Sequence, residues 1–122
     1  MAGEVEDKFM QMIESGDAYS AETLMPLFEQ LEPVNLDFML GTWHGGKFDG
    51  GVEPDPLNWY GKRFNSINDV EPILYPGPDG ELQNYEKLGR AQIREMVFAG
   101  QVSAALIYDQ QPIIDYFRKV ND

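Results

Sequence analysis

The stretch "NWYGKRF", residues 58–64, sets Lys62 and Arg63 between Trp59, Tyr60 and Phe64 in a chain with 21 acidic and nine basic residues. A cation walled by aromatic rings suits a carboxylate, an enolate or a polarised carbonyl on an apolar ligand, with arginine as the bidentate partner. Tyr108 and Trp43 are further wall candidates. The alternative is an aromatic plug whose Lys62 and Arg63 pair with nearby acids such as Asp69 or Glu71. Upstream, "LGTWHGGKF" gathers Gly41, Trp43, Gly45 and the one histidine of the chain, His44. A histidine can act as acid or base, or ligate haem or another metal. With no cysteine and no second histidine, a protein-only metal centre of nitrogen and sulfur ligands is not expected, so the reading is no metal site. Haem asks for a single axial residue and stays open as a cofactor. On a strand, Trp43 and His44 would point to opposite faces, so a Trp43 packing the floor of a sheet leaves His44 facing out. Asp109 and Asp115 read first as a turn cap and as an ion-pair partner of Arg118. Aimed into an apolar cavity, either carboxylate would instead have a raised pKa and could serve as a general acid or base.

Composition narrows the partners. A net charge of −12 and a pI near 4.3 repel the backbone of nucleic acid. No apolar run approaches the roughly 18 residues of a membrane span. The acidic start "MAGEVEDKFM" lacks the basic and apolar regions of a secretory signal, so a cytoplasmic location is expected. At 122 residues the chain suits one folding unit. No phosphate-binding glycine loop or nucleophile elbow is present.

The elements that must carry these residues fall into two parts. Residues 4–15 place Val5, Phe9, Met12 and Ile13 at helical spacing, with Gly16 as a stop. Ser20 caps a second amphipathic segment, in which Pro26 predicts either a break or a late start. From Leu36 the pattern alternates through Phe38, Leu40 and Thr42, which predicts a strand leaving "EPVN". "GGKFDGGVEPDP" reads as a loop, "VEPILY" as a short or edge strand, and "PGPDGE" as a turn. Residues 91–98 and "VSAALIYD", parted by Ala99 and Gly100, predict a hairpin. The tail around Ile113, Ile114, Tyr116 and Phe117 is a further strand or a helical turn. The sum is an α+β chain: a helical segment over 1–35, then a mainly β domain over 36–122 of five or so antiparallel strands that curl into a small barrel to hide their edges.

Three stretches carry a resemblance to a known family. "LDFMLGTWHGG", "LNWYGKRFNSINDVEPILY" and "GRAQIREMVFAGQVSAALIYDQQPIIDYFRKVND" resemble, in order, the paired domains named for the GXWXG motif and for DUF4334. The resemblance implies a lipocalin-like or fatty-acid-binding-like barrel with a small-molecule cavity, and it implies no particular reaction. Family members continue past "DYFRKVND" with two further strands. The barrel is therefore expected to be open or incomplete, completed by a partner chain, or seen in a shortened form, and an unpaired edge would favour a homodimer. The leading expectation is a barrel that binds a hydrophobic small molecule through Trp43, Trp59, Tyr60, Lys62, Arg63, Phe64 and Tyr108. His44, Asp109 and Asp115 are the acid or base candidates. A cofactor-independent isomerase or cyclase of a secondary-metabolite intermediate, a haem-binding barrel and a β-edge interaction module are the alternatives.

Overall fold

A computed structural model describes residues 3–122. Three helices lead, α1 (Glu4–Ser15), α2 (Ala21–Phe28) and the single turn α3 (Leu36–Met39). Seven strands follow: β1 (Gly41–His44), β2 (Gly61–Ser66), β3 (Asp69–Pro76), β4 (Leu82–Asn84), β5 (Ala91–Phe98), β6 (Gln101–Tyr108) and β7 (Ile114–Tyr116).

Helix α1 forms where its spacing places it. The Glu6 carboxylate accepts the Gly3 N–H at 2.7 Å, the first turn is acidic, and Gly16 ends the helix in the left-handed region. Its apolar stripe buries Phe9 and Met12. In α2 the Ser20 hydroxyl accepts the Thr23 N–H at 3.3 Å. Pro26 neither breaks this helix nor delays its start, contrary to expectation; it lies inside, and the helix stops two residues later at Phe28. A proline removes one donor, and an eight-residue helix at the surface tolerates that loss. The carbonyls beyond α2 find a partner elsewhere: Arg118 Nη1 donates to Glu29 O at 3.1 Å and Leu31 O at 3.0 Å, and its Nη2 donates to Phe98 O at 2.9 Å.

The strand expected from Leu36 starts only at Gly41. Asn35 Oδ1 accepts the Phe38 N–H at 2.8 Å and opens α3, so a local cap overrides the alternating pattern. Met39 and Val34 then enter the core, with Leu36 and Phe38 packed against it.

The strands form one open antiparallel sheet in the order β1-β2-β3-β5-β6-β7, with β4 beside β3. Seven strands replace the five or so expected, because "LQN" and "IDY" pair as short strands of three residues each. β3 is internal rather than an edge. It accommodates Pro72 because the pairing shifts there, with Gly61 opposite Leu74 but Arg63 opposite Glu71. The expected hairpin is present: β5 and β6 pair from Ala91–Tyr108 to Phe98–Gln101, and Ala99 and Gly100 turn with φ of 53° and 78°. Phe64, Val70, Ile93, Ala104 and Leu106 line the apolar face beneath Val34 and Met39.

One buried hydroxyl stitches the helical segment to the sheet. Ser103 Oγ accepts the Val34 N–H at 2.9 Å and donates to Phe117 O at 2.7 Å. Ser103→Ala strands both partners, so we expect a loss of about 2 kcal/mol, read as a lower urea midpoint at unchanged slope.

Candidate functional site

Lys62 lies opposite Trp43 in the β1–β2 register. From there its ammonium reaches across the curved sheet. Nζ donates to Tyr108 Oη on β6 at 2.8 Å and to the Pro72 carbonyl at 3.1 Å, and it lies 3.4 Å from Asp115 Oδ2 on β7. The Tyr108 hydroxyl in turn donates to the same Asp115 oxygen at 3.2 Å. Lysine, phenol and carboxylate thus form a continuous path for a proton. Nζ also lies 5.7 Å from the Trp59 ring centre and 5.3 Å from that of Tyr108.

The Lys62 side chain is only 17% exposed. Burial pushes its pKa below the usual lysine value, and the charge and hydrogen bond of Asp115 offset only part of that. Burial pushes the Tyr108 phenol well above its ordinary value, and the negative charge and hydrogen bond of Asp115 add to the effect.

Two cavities flank this group. The smaller, about 230 Å³, is walled by Phe38, Met39, Trp43, Trp59, Phe117 and Lys62 among others. The larger, about 510 Å³, opens between α1, α2 and β7, with Phe9, Leu24, Phe28, Phe98 and Asp115 in its wall. Phe117 borders both, and the Lys62–Asp115 pair has one member in each.

Glycines let the aromatic walls close in. A methyl group on Gly45 would overlap the Trp59 indole, and one on Gly61 would overlap the Trp43 carbonyl. Trp43 Nε1 donates to Met39 O at 2.7 Å and the indole leans on Phe38. Trp43 is 36% exposed, so it walls a cavity mouth and is not the buried floor residue expected; β1 is an edge strand, and all four of its residues are exposed.

The predicted cationic pair is split between two faces. Arg63 turns away from Lys62 and pairs with Glu71 at 3.2 Å, while Asp69 is taken by Arg90 at 2.6 Å. Phe64 is a core residue, edge-on to Phe117 at 5.9 Å. Tyr60 stacks on His44 with ring centres 4.6 Å apart, and His44 borders a separate cleft beside Met12 and Ile13 of α1. Asp109 accepts the Arg90 backbone N–H at 3.0 Å, a local role at the strand end. Of the predicted set, Trp43, Trp59, Lys62, Tyr108 and Asp115 come together, and Phe64 reaches the same cavity from the core. Phe38, Met39 and Phe117 complete the walls without a sequence signal: the alternating pattern places the first two on a strand, and Phe117 stands out only as apolar bulk. Asp115 pairs with Lys62 rather than with Arg118, whose fork is occupied by backbone carbonyls. Among the described residues no cluster of three or more His, Asp or Glu side chains could hold a metal ion. No described helix is long and apolar enough to cross a membrane.

Comparison with known proteins places this geometry. A family model described as "GXWXG protein" matches residues 26–80, and one described as a domain of unknown function, DUF4334, matches residues 89–122. A crystal structure of a protein from Thermomonospora curvata is similar over 98% of this chain and 83% of that one, at 49% identity and a TM-score of 0.87. No curated protein matches the sequence.

The raised Tyr108 phenol has a measurable sign. Above about pH 10 the unfolded chain loses this proton while the folded chain keeps it, so the stability contributed by Tyr108 is fully present at about pH 9 and declines as pH rises through about 11. In a spectrophotometric titration the wild type should show a late component that ionises well above the ordinary tyrosine range, and Tyr108→Phe should remove it. A wild-type curve with no late component contradicts the assigned surroundings.

Proposed function

This chain belongs to the family in which a GXWXG domain precedes a DUF4334 domain, and we propose that it binds a small apolar or aromatic molecule bearing a carboxylate or carbonyl group. The ligand's body lies against Trp43, Trp59, Phe38 and Phe117, and its oxygen meets Lys62. The observation that carries this reading is a sheltered lysine amine in the wall of a mostly apolar cavity, whose other charged lining residue, Arg118, is engaged with backbone carbonyls. A lysine ammonium has three protons to donate. Two are directed at Tyr108 and Pro72, and the third has only the longer, 3.4 Å approach to Asp115. A ligand oxygen at ordinary hydrogen-bond distance gives that proton a closer acceptor. In a chain of net charge −12, such a point is a local exception able to hold an anion.

The two tryptophans of the chain both wall this cavity, so their emission reports on it directly. Titration with benzoate should change tryptophan fluorescence saturably. Lys62→Met should weaken the binding about tenfold or more, the range of one charge-assisted hydrogen bond. Emission unmoved by benzoate, or equal affinity in the variant, overturns the reading.

A further inference from the structure

We propose that Lys62 is an amine nucleophile that condenses with the carbonyl of an aromatic or apolar aldehyde or ketone to form a protonated imine, with Asp115 and Tyr108 moving the protons. The inference rests on the ligand reading above and deepens it from binding to covalent chemistry. Three features of the geometry carry it. The amine is in the wall of a cavity whose other walls are mostly rings, so a carbonyl carbon can approach while the ligand's body is held. A carboxylate and a phenol both lie near Nζ, at 3.4 Å and 2.8 Å, and they touch each other at 3.2 Å. The Lys62 side chain is mostly buried, which limits the water that reaches an imine formed there.

The step balances without any further reagent. Asp115 takes one proton from the Lys62 ammonium, leaving a neutral amine and a carboxylic acid. The nitrogen lone pair attacks the carbonyl carbon, and the carbon–oxygen π electrons move to oxygen. Tyr108 relays a proton from the new N–H₂⁺ to that oxygen, giving a neutral carbinolamine. The Asp115 acid then protonates the hydroxyl, the carbon–oxygen bond breaks, water leaves, and the nitrogen lone pair closes the C=N bond. Ammonium plus carbonyl has become iminium plus water, and Asp115 is again a carboxylate. The depressed pKa of Lys62 assists the first transfer, because the ammonium is already destabilised by burial.

The test is reductive trapping on the whole chain, with benzaldehyde and cyanoborohydride at neutral pH and the benzylated lysines located by peptide mass spectrometry. Lys62 should be labelled about tenfold faster than the lysines at 8, 47 and 87, and benzoate should suppress its labelling alone. Tyr108→Phe should slow Lys62 labelling about tenfold or more without affecting the other lysines. Asp115→Asn should shift the pH profile of Lys62 labelling downward, since Asp115 holds the ammonium charged. Labelling of Lys62 no faster than that of the surface lysines overturns the proposal. If benzoate still moves tryptophan emission in that case, ligand binding stands and the imine falls; if it does not, both fall.

Discussion

The ammonium of Lys62 is the point on which the curvature of the sheet converges. It starts on β2, beside one edge, and ends at Asp115 on β7, the opposite edge, with β3, β5 and β6 between them in the sheet. That reach is possible only if the open sheet curls so that its ends face each other, as twisted sheets do. The interaction is a poor choice if stability alone is the criterion, because a sheltered charge forfeits hydration that a single carboxylate returns only in part. A methionine would fill similar space without that penalty. A charge kept where a hydrocarbon would pack is what the proposed binding role asks for, and a mostly apolar cavity lies beside it.

The rest of the architecture is arranged around this tie. The GXWXG segment brings Trp43 to the cavity mouth, and the absence of a side chain at Gly45 lets Trp59 lie over the backbone beside it. The turn α3 sets Phe38 and Met39 on the opposite wall and supplies the carbonyl that holds the Trp43 indole. Arg118, just beyond β7, fastens the end of α2 and the β5 terminus to the same strand that carries Asp115. A change at any of these places would alter the geometry of one amine.

Much of this is legible in the sequence, and the failures have physical causes. The aromatic and basic "NWYGKRF" does contribute Trp59, Lys62 and Phe64 to one cavity wall, because a lysine and two large rings at that spacing leave a strand only a few ways to bury them. What it cannot show is which cation turns inward: period-two alternation puts Lys62 and Arg63 on opposite faces, but the sign depends on a register set by the shift at Pro72. The partner of Lys62 was hidden for a different reason. Asp115 lies beside Arg118 in sequence, yet Arg118 is drawn to orphaned carbonyls of a helix some 90 positions earlier, a long-range demand with no local signature. The strand misread from Leu36 shows a one-residue cap at Asn35 prevailing over an alternating pattern. His44, unique and conspicuous, borders a cleft on the other side and takes no part in the Lys62 group.

The central claim is that Lys62 sits in surroundings that disfavour its charge, relieved in part by Asp115. Carbon-13 NMR titration of the lysine side-chain Cε signals measures this directly. The account predicts that Lys62 titrates below the ordinary lysine range, and that Asp115→Asn lowers its midpoint further. A Lys62 midpoint at or above the ordinary lysine range, unmoved by Asp115→Asn, would contradict it.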